Sequence, residues 1–296
     1  MATSVERRVE PVVRRRFLPT IDVQGIGFAA TLASICLLII ILMGIFAPLI
    51  ATHDPILMDP TQRLKPASNA FLLGTDAYGR DLFSRIVYGA RISLIVGVGA
   101  AIISVAIGLP LGLLAGFFRI LDAILMRIMD GLMAIPSILL AIAVVSLAGA
   151  SLWTVLVAIT IPEIPRVVRL VRSVVLSARE EPYVEAAIAV GSSLPKVMWR
   201  HLVPNTLAPL IVQGTYICAS AILIEAILSF LGAGVGTETP SWGNIMSEGR
   251  VYFQLKPSLI FWPGLVLSIC ILSINLLGDT ARDLLDPRLK QRGGEK

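Results

Sequence analysis

From Ile92 to Phe118 the sequence carries no charged side chain. Inside a bilayer an isolated backbone satisfies its own N–H and C=O groups only as a helix or a closed barrel, and a core of about 30 Å needs roughly 20 apolar residues per helix. Similar runs are read at about Ile26–Ile50, Ile128–Ala148, Leu152–Val171, Leu207–Leu231 and Leu259–Leu277, and no strand-like alternation competes with them. The chain is 56% hydrophobic and 15% charged, with a mean hydropathy of +0.83, against about 25% charged residues in soluble domains. These features describe an all-α integral membrane protein of six transmembrane helices with no sizeable soluble core.

The first run follows Arg7, Arg8 and Arg14 to Arg16, but it is too long for a signal peptide and shows no small-residue cleavage site, so it reads as a retained helix. With the N-terminus inside, the inner segments hold most of the Lys and Arg. Only Arg63, Lys65, Arg80, Arg85, Arg91, Arg250 and Lys256 fall outside. The positive-inside rule therefore places both termini in the cytoplasm and accounts for the formal charge of +5 without nucleic acid. The expected organisation is a cytoplasmic segment 1–25, a six-helix domain 26–277 and a cytoplasmic tail 278–296. The domain has an external segment 51–90, a cytoplasmic loop 178–206 and an external loop 232–257. The N-terminal Arg cluster suits anionic lipid, and the tail has an apolar edge at Leu284, Leu285 and Leu289.

Composition excludes several chemistries. Cys36, Cys218 and Cys270 lie in separate apolar runs and read as small hydrophobic residues, while His53 and His201 have no second ligand at useful spacing. No metal site, paired nucleophile and base, or GxxxxGK[ST] phosphate loop is legible, so no catalytic or cofactor-binding residue is assigned.

The least membrane-like piece is Glu180 to Asn205, between the fourth and fifth runs. Pro182 suits the first turn of a short helix, Gly191 its stop, and a second short helix fits from Ser193 to Val203 before Pro204. Glu185 beside Ala186 and Ala187 is a surface that another protein's backbone can approach closely. A φ above zero at Gly191 would make a Cβ costly there.

Glu185-Ala186-Ala187, three residues, then Gly191 resembles the EAA loop of permease subunits of ATP-binding-cassette (ABC) importers. His201 and Val203 stand where that pattern has Ile and Leu. The blocks LGTDAYGRDLFSRIVYGARISL (Leu73 to Leu94), MDGLMAIPSILLAI (Met129 to Ile142), EAILSFLGAGV (Glu225 to Val235), PSWGNIM (Pro240 to Met246) and NLLGDTARDLLDPRL (Asn275 to Leu289) are similar to C-type permeases of dipeptide, oligopeptide and nickel importers. The resemblance implies a type I ABC importer permease (MetI-like) architecture. It implies a heterodimer with a B-type permease subunit, two ATP-binding subunits below, and an extracytoplasmic substrate-binding protein above. ATP and Mg would be bound by those partners and not by this chain. Glu185, Ala186, Ala187 and Gly191 would be the ATPase-coupling residues, and dipeptides or oligopeptides the expected cargo, with nickel or another small solute the alternative.

Further expectations concern charge within the spans. Glu225, in the fifth span, should face the bundle interior, a water-filled path or the partner, as a brace between helices in preference to a substrate contact. A stand-alone ion-coupled carrier is the competing class, and Glu225 is the feature in its favour. Asp130 is expected to pair locally with Arg127, and Pro110, Pro136, Pro162 and Pro165 to kink or break helices. Leu82, Phe83, Ile86 and Val87 suggest a short helix on the outer membrane surface, and Trp242, Tyr252 and Phe253 suggest interfacial anchors.

Overall fold

Apolar runs that must satisfy their own backbone groups fold as expected into long helices. In the computed structural model, which describes residues 27–236 and 238–285, these are α1 (Phe28–Ile45), α3 (Leu82–Phe117), α6 (Leu152–Ala178), α9 (Val203–Phe230) and α11 (Ser258–Leu285). Shorter elements are α2 (Ala47–Ile50), α4 (Arg119–Met133), α5 (Ser137–Ala148), α7 (Pro182–Ala189), α8 (Leu194–Val197) and α10 (Trp242–Gly249). Among the described residues four helices are long and apolar enough to cross a membrane, or five if the bent pair α4 and α5 counts as one crossing. The N-terminal Arg cluster and Leu289 lie outside the described residues.

Three helices start where a side chain satisfies a free N–H group of the first turn. The Asp81 carboxylate accepts from Ser84 N (2.9 Å) at the start of α3, Ser151 from Thr154 N (3.1 Å) at α6, and Ser241 from Asn244 N (3.2 Å) at α10. α3 packs closely on α6. Gly108, Gly112 and Gly116 repeat every fourth residue on α3 and leave room for Val167, Val171 and Val175 of α6. One apolar cluster lies between α3, α5, α6 and α9; a second, around Trp242, joins α3, α9, α10 and α11.

Four expectations are corrected by the structure. Leu82, Ile86 and Val87 do not lie on the membrane surface: they begin the 36-residue α3 and are buried with Arg80, Asp81 and Arg85. The third run is not one helix, since α4 and α5 meet at 84° where Pro136 stands. Of the other three prolines, Pro110 lies within continuous α3 and Pro162 and Pro165 within continuous α6. Asp130 bonds Arg169 of α6 in place of Arg127, and Asp122 bonds Arg172 of α6 (Arg172 Nη2 to Asp122 Oδ2, 2.7 Å). Both contacts tie amphipathic α4 to α6. Finally, Pro204 does not end a helix. Met198–Leu202 forms a π-turn in which Val203 N bonds Met198 O, and the widened turn leads Pro204 into α9, where its missing N–H is tolerated in the first turn.

Candidate functional site

Three regions carry polar or exposed groups that packing alone does not call for. The first is the segment between α6 and α9. Val184 of α7, Val197 of α8 and Leu202 of the π-turn are fully buried in the α3–α6–α9 core and fasten the segment to the bundle. Pro182 opens α7, and Gly191 ends it with φ +84°, its N–H bonding Ile188 O and that of Ser192 bonding Ala187 O. His201 takes part in this fold: its ring lies 6.1 Å from that of Tyr183, whose hydroxyl accepts from Asn205 Nδ2 (2.8 Å). Glu185 and Ala186 are exposed and Ala187 half-buried. Around them Ile188, Val190, Leu194 and Trp199 also face outward, Val190 at 87% and Trp199 at 75% exposure. The segment thus presents several exposed apolar side chains on a base fixed by buried ones.

The second region joins the segment before α3 to the segment around α10, both expected to be external. Asp76 is buried and accepts from the backbone N–H groups of Tyr78 (2.8 Å) and Arg80 (3.0 Å), from Arg80 Nε (2.7 Å) and from Arg85. Arg85 Nη1 also reaches Glu248 Oε2 of α10 (2.6 Å), as does Arg80. Trp242, expected at an interface, is fully buried instead, and its Nε1 donates to Ile86 O of α3 (3.0 Å) in the space left by Gly89. Tyr252 accepts from Arg63 Nη2 (2.9 Å), while Phe253 is exposed. Lys256 donates to the carbonyls of Thr75 (2.7 Å) and Lys65, and burial draws its pKa below the ordinary lysine range against the pull of Asp76. The segment before α3 and the segment around α10 thus form one cap locked by buried charge. Sequence reasoning missed this quartet because Glu248 is 163 residues from Arg85.

The third region lies along α6, α9 and α11. Glu163 is buried and accepts from Arg166 Nη1 at 2.8 and 3.1 Å. With Gln213, Ser220 and Asn275 the pair lines a cavity of about 320 Å³. A second cavity of about 650 Å³ shares Gln213 and Tyr216 with it and extends toward Arg282 and Leu285. Tyr216 donates to Asp279. The signal that would have pointed here is the row Glu163, Arg166, Arg169 and Arg172 within an otherwise apolar helix.

Glu225 lies apart from those cavities. It is fully buried among α3, α9 and α10, where Oε1 accepts from Ser229 Oγ (2.7 Å), Oε2 has no partner, and Ser93 and Ser241 are the neighbouring hydroxyls. Glu225→Gln is expected to keep assembly and uptake close to wild type, because an amide carbonyl can accept from Ser229 while its NH₂ serves the unpaired Ser93 Oγ. Uptake that collapses in Glu225→Gln while assembly survives would make the charge itself functional. Among the described residues no cluster of three His, Cys, Asp or Glu could hold a metal ion, and Cys36, Cys218 and Cys270 are free thiols.

Residues 108–291 match the family model described as binding-protein-dependent transport system inner membrane component, and residues 29–67 match the N-terminal TM domain of oligopeptide transport permease C. The chain is 53% identical over 251 residues to the probable peptide ABC transporter permease protein y4tQ of Sinorhizobium fredii, covering 85% of this chain and 86% of the relative. It is 42% identical to the dipeptide transport system permease protein DppC of Haemophilus influenzae, over 93% of this chain and 98% of that one. Its fold is similar to a chain of the inward-facing MetNI methionine ABC transporter, with a TM-score of 0.55 at 23% identity over 69% of this chain and 98% of that chain. The chain belongs to the inner-membrane components of binding-protein-dependent transport systems: it is a multi-pass permease subunit of an ABC importer in the bacterial inner membrane.

Proposed function

We propose that this chain forms one half of the translocation path for dipeptides or oligopeptides, paired with a B-type permease, and that its Glu185–Gly191 knob receives force from a cytoplasmic ATPase. Both termini then lie in the cytoplasm and α6 supplies the sixth crossing, its Glu163–Arg166 pair lining water between the two permeases. In lipid each such charge would cost about 2.5–3.5 kcal/mol at the centre of the bilayer. A substrate-binding protein delivers cargo from outside, and ATP with Mg is held by the ATP-binding subunits. The names of the relatives support the peptide cargo.

The observation that carries the coupling role is the apolar surface of Ile188, Val190, Leu194 and Trp199, held on a segment whose Val184, Val197 and Leu202 are fully buried. A push on the exposed side is delivered to the core between α3, α6 and α9. Glu185→Lys is expected to remove the ATP-binding subunits from the purified complex and to lower peptide uptake about tenfold, the effect of losing one strong interface contact, with the second permease retained. Gly191→Val should act similarly through the backbone. Nothing lies within 4 Å of the missing Cβ, so the cost is that of φ +84°, about 1–2 kcal/mol. Retention of the ATPases with normal uptake in both variants would move the coupling surface elsewhere.

A further inference from the structure

We infer that Arg166 is a receptor for the terminal carboxylate of the passing peptide, aimed into the α6–α9–α11 cavity by Glu163. The inference rests on the peptide reading above and adds to it a residue and a ligand group. Both contacts from Glu163 fall on one guanidinium nitrogen, Nη1, which leaves Nε and Nη2 without a partner among the described residues. The Arg166 side chain is 48% exposed while that of Glu163 is 1% exposed, so the buried carboxylate anchors a guanidinium whose residue lines the cavity. A planar fork of free N–H donors matches a carboxylate in two parallel hydrogen bonds.

The surroundings fit the same ligand. Gln213 and Ser220 of α9 and Asn275 of α11 face the pair across the cavity and bring amide and hydroxyl groups suited to a peptide bond. At about 320 Å³ the space is at the small end of ligand pockets and holds one end of a peptide. The larger cavity beyond Gln213 and Tyr216, lined mainly by apolar side chains such as Leu170, Val212 and Leu285, gives room for the rest. A zwitterionic peptide has one main-chain carboxylate whatever its side chains, so a single fixed guanidinium serves many sequences.

The test keeps Arg166 and places a reporter beside it. In the assembled importer, Ser220→Cys is labelled in inside-out vesicles with a small cationic thiol reagent, with the wild-type complex controlling for Cys36, Cys218 and Cys270. A dipeptide is expected to slow labelling about tenfold at ten times its half-protecting concentration, as mass action requires, and its C-terminal amide to give no protection. Adding Arg166→Gln should abolish protection by the dipeptide, and Arg166→Lys, which keeps the charge without the fork, should leave it weak. Equal protection by acid and amide, or protection that survives Arg166→Gln, would overturn the assignment. So would loss of the second permease from Arg166→Gln, since Arg166 would then be a subunit contact. Peptide uptake by the wild-type importer is measured separately: its absence removes the peptide reading itself, whereas uptake without protection of the introduced thiol removes the Arg166 assignment alone.

Discussion

Asp76→Ala is expected to destabilise the cap formed by the start of α3 and α10 by about 3–5 kcal/mol, the usual cost of stranding a buried charge. Arg80 and Arg85 would lose their shared carboxylate and keep only Glu248, and two backbone N–H groups would lose their acceptor. Asp76, Arg80 and Arg85 are each no more than 3% exposed, so water does little to compensate. The measurements are the thermal midpoint of the purified importer and the rate of proteolysis within residues 51–81 and 238–257. A lowered midpoint with cleavage confined to those segments is the expected result. Replacing all four members of the quartet by apolar residues of similar size should cost much less than Asp76→Ala alone, because no charge is then left unpaired. An unchanged midpoint in Asp76→Ala would show that Trp242 and its apolar neighbours hold the cap without the ion pairs.

Gly112→Leu is expected to abolish the folded subunit, and Gly112→Ala to destabilise it by about 1–3 kcal/mol through overpacking. A Cβ at Gly112 would lie 2.6 Å from Val171 Cβ and 2.8 Å from the Val168 carbonyl oxygen, so α6 must shift as a backbone and not only as a side chain. The shift would carry the Glu163–Arg166 pair with it, since both stand on α6. Recovery of the purified complex and its thermal midpoint report the packing. Val171→Ala should relieve only the 2.9 Å clash with Val171 Cγ1, since alanine keeps the Cβ that makes the nearer one. Wild-type stability in Gly112→Ala would mean that α3 and α6 do not depend on this close approach.

These two sites differ in how they register in sequence. The Gly108, Gly112 and Gly116 spacing is a local pattern on one helix, visible once α3 is read as a helix. The Asp76–Arg80–Arg85–Glu248 quartet is not local: each member looks like an ordinary charge of an external loop until α10 is folded against α3. Pairing across 163 residues has no periodicity for a reader to detect. The same holds for Arg172 and Asp122, which are 50 residues apart, and it is why helical spacing alone pairs Asp130 with a neighbour on its own helix.

By itself the sequence determined the solvent of this protein and the type of its elements. Uncharged runs such as Ile92–Phe118, without strand-like alternation, leave a bilayer backbone the helix in place of the barrel, and the Glu185-Ala186-Ala187…Gly191 pattern marks a helix with a glycine stop, because side-chain size and backbone freedom are properties of single residues. Only the tertiary structure decided which charges meet, that the third apolar run bends by 84° at Pro136, and that Glu225 lies sealed in the bundle while Arg166 opens into a cavity. Electrostatic partnership and burial depend on distances between helices, and those distances are set by how closely α3, α6, α9 and α10 can approach one another.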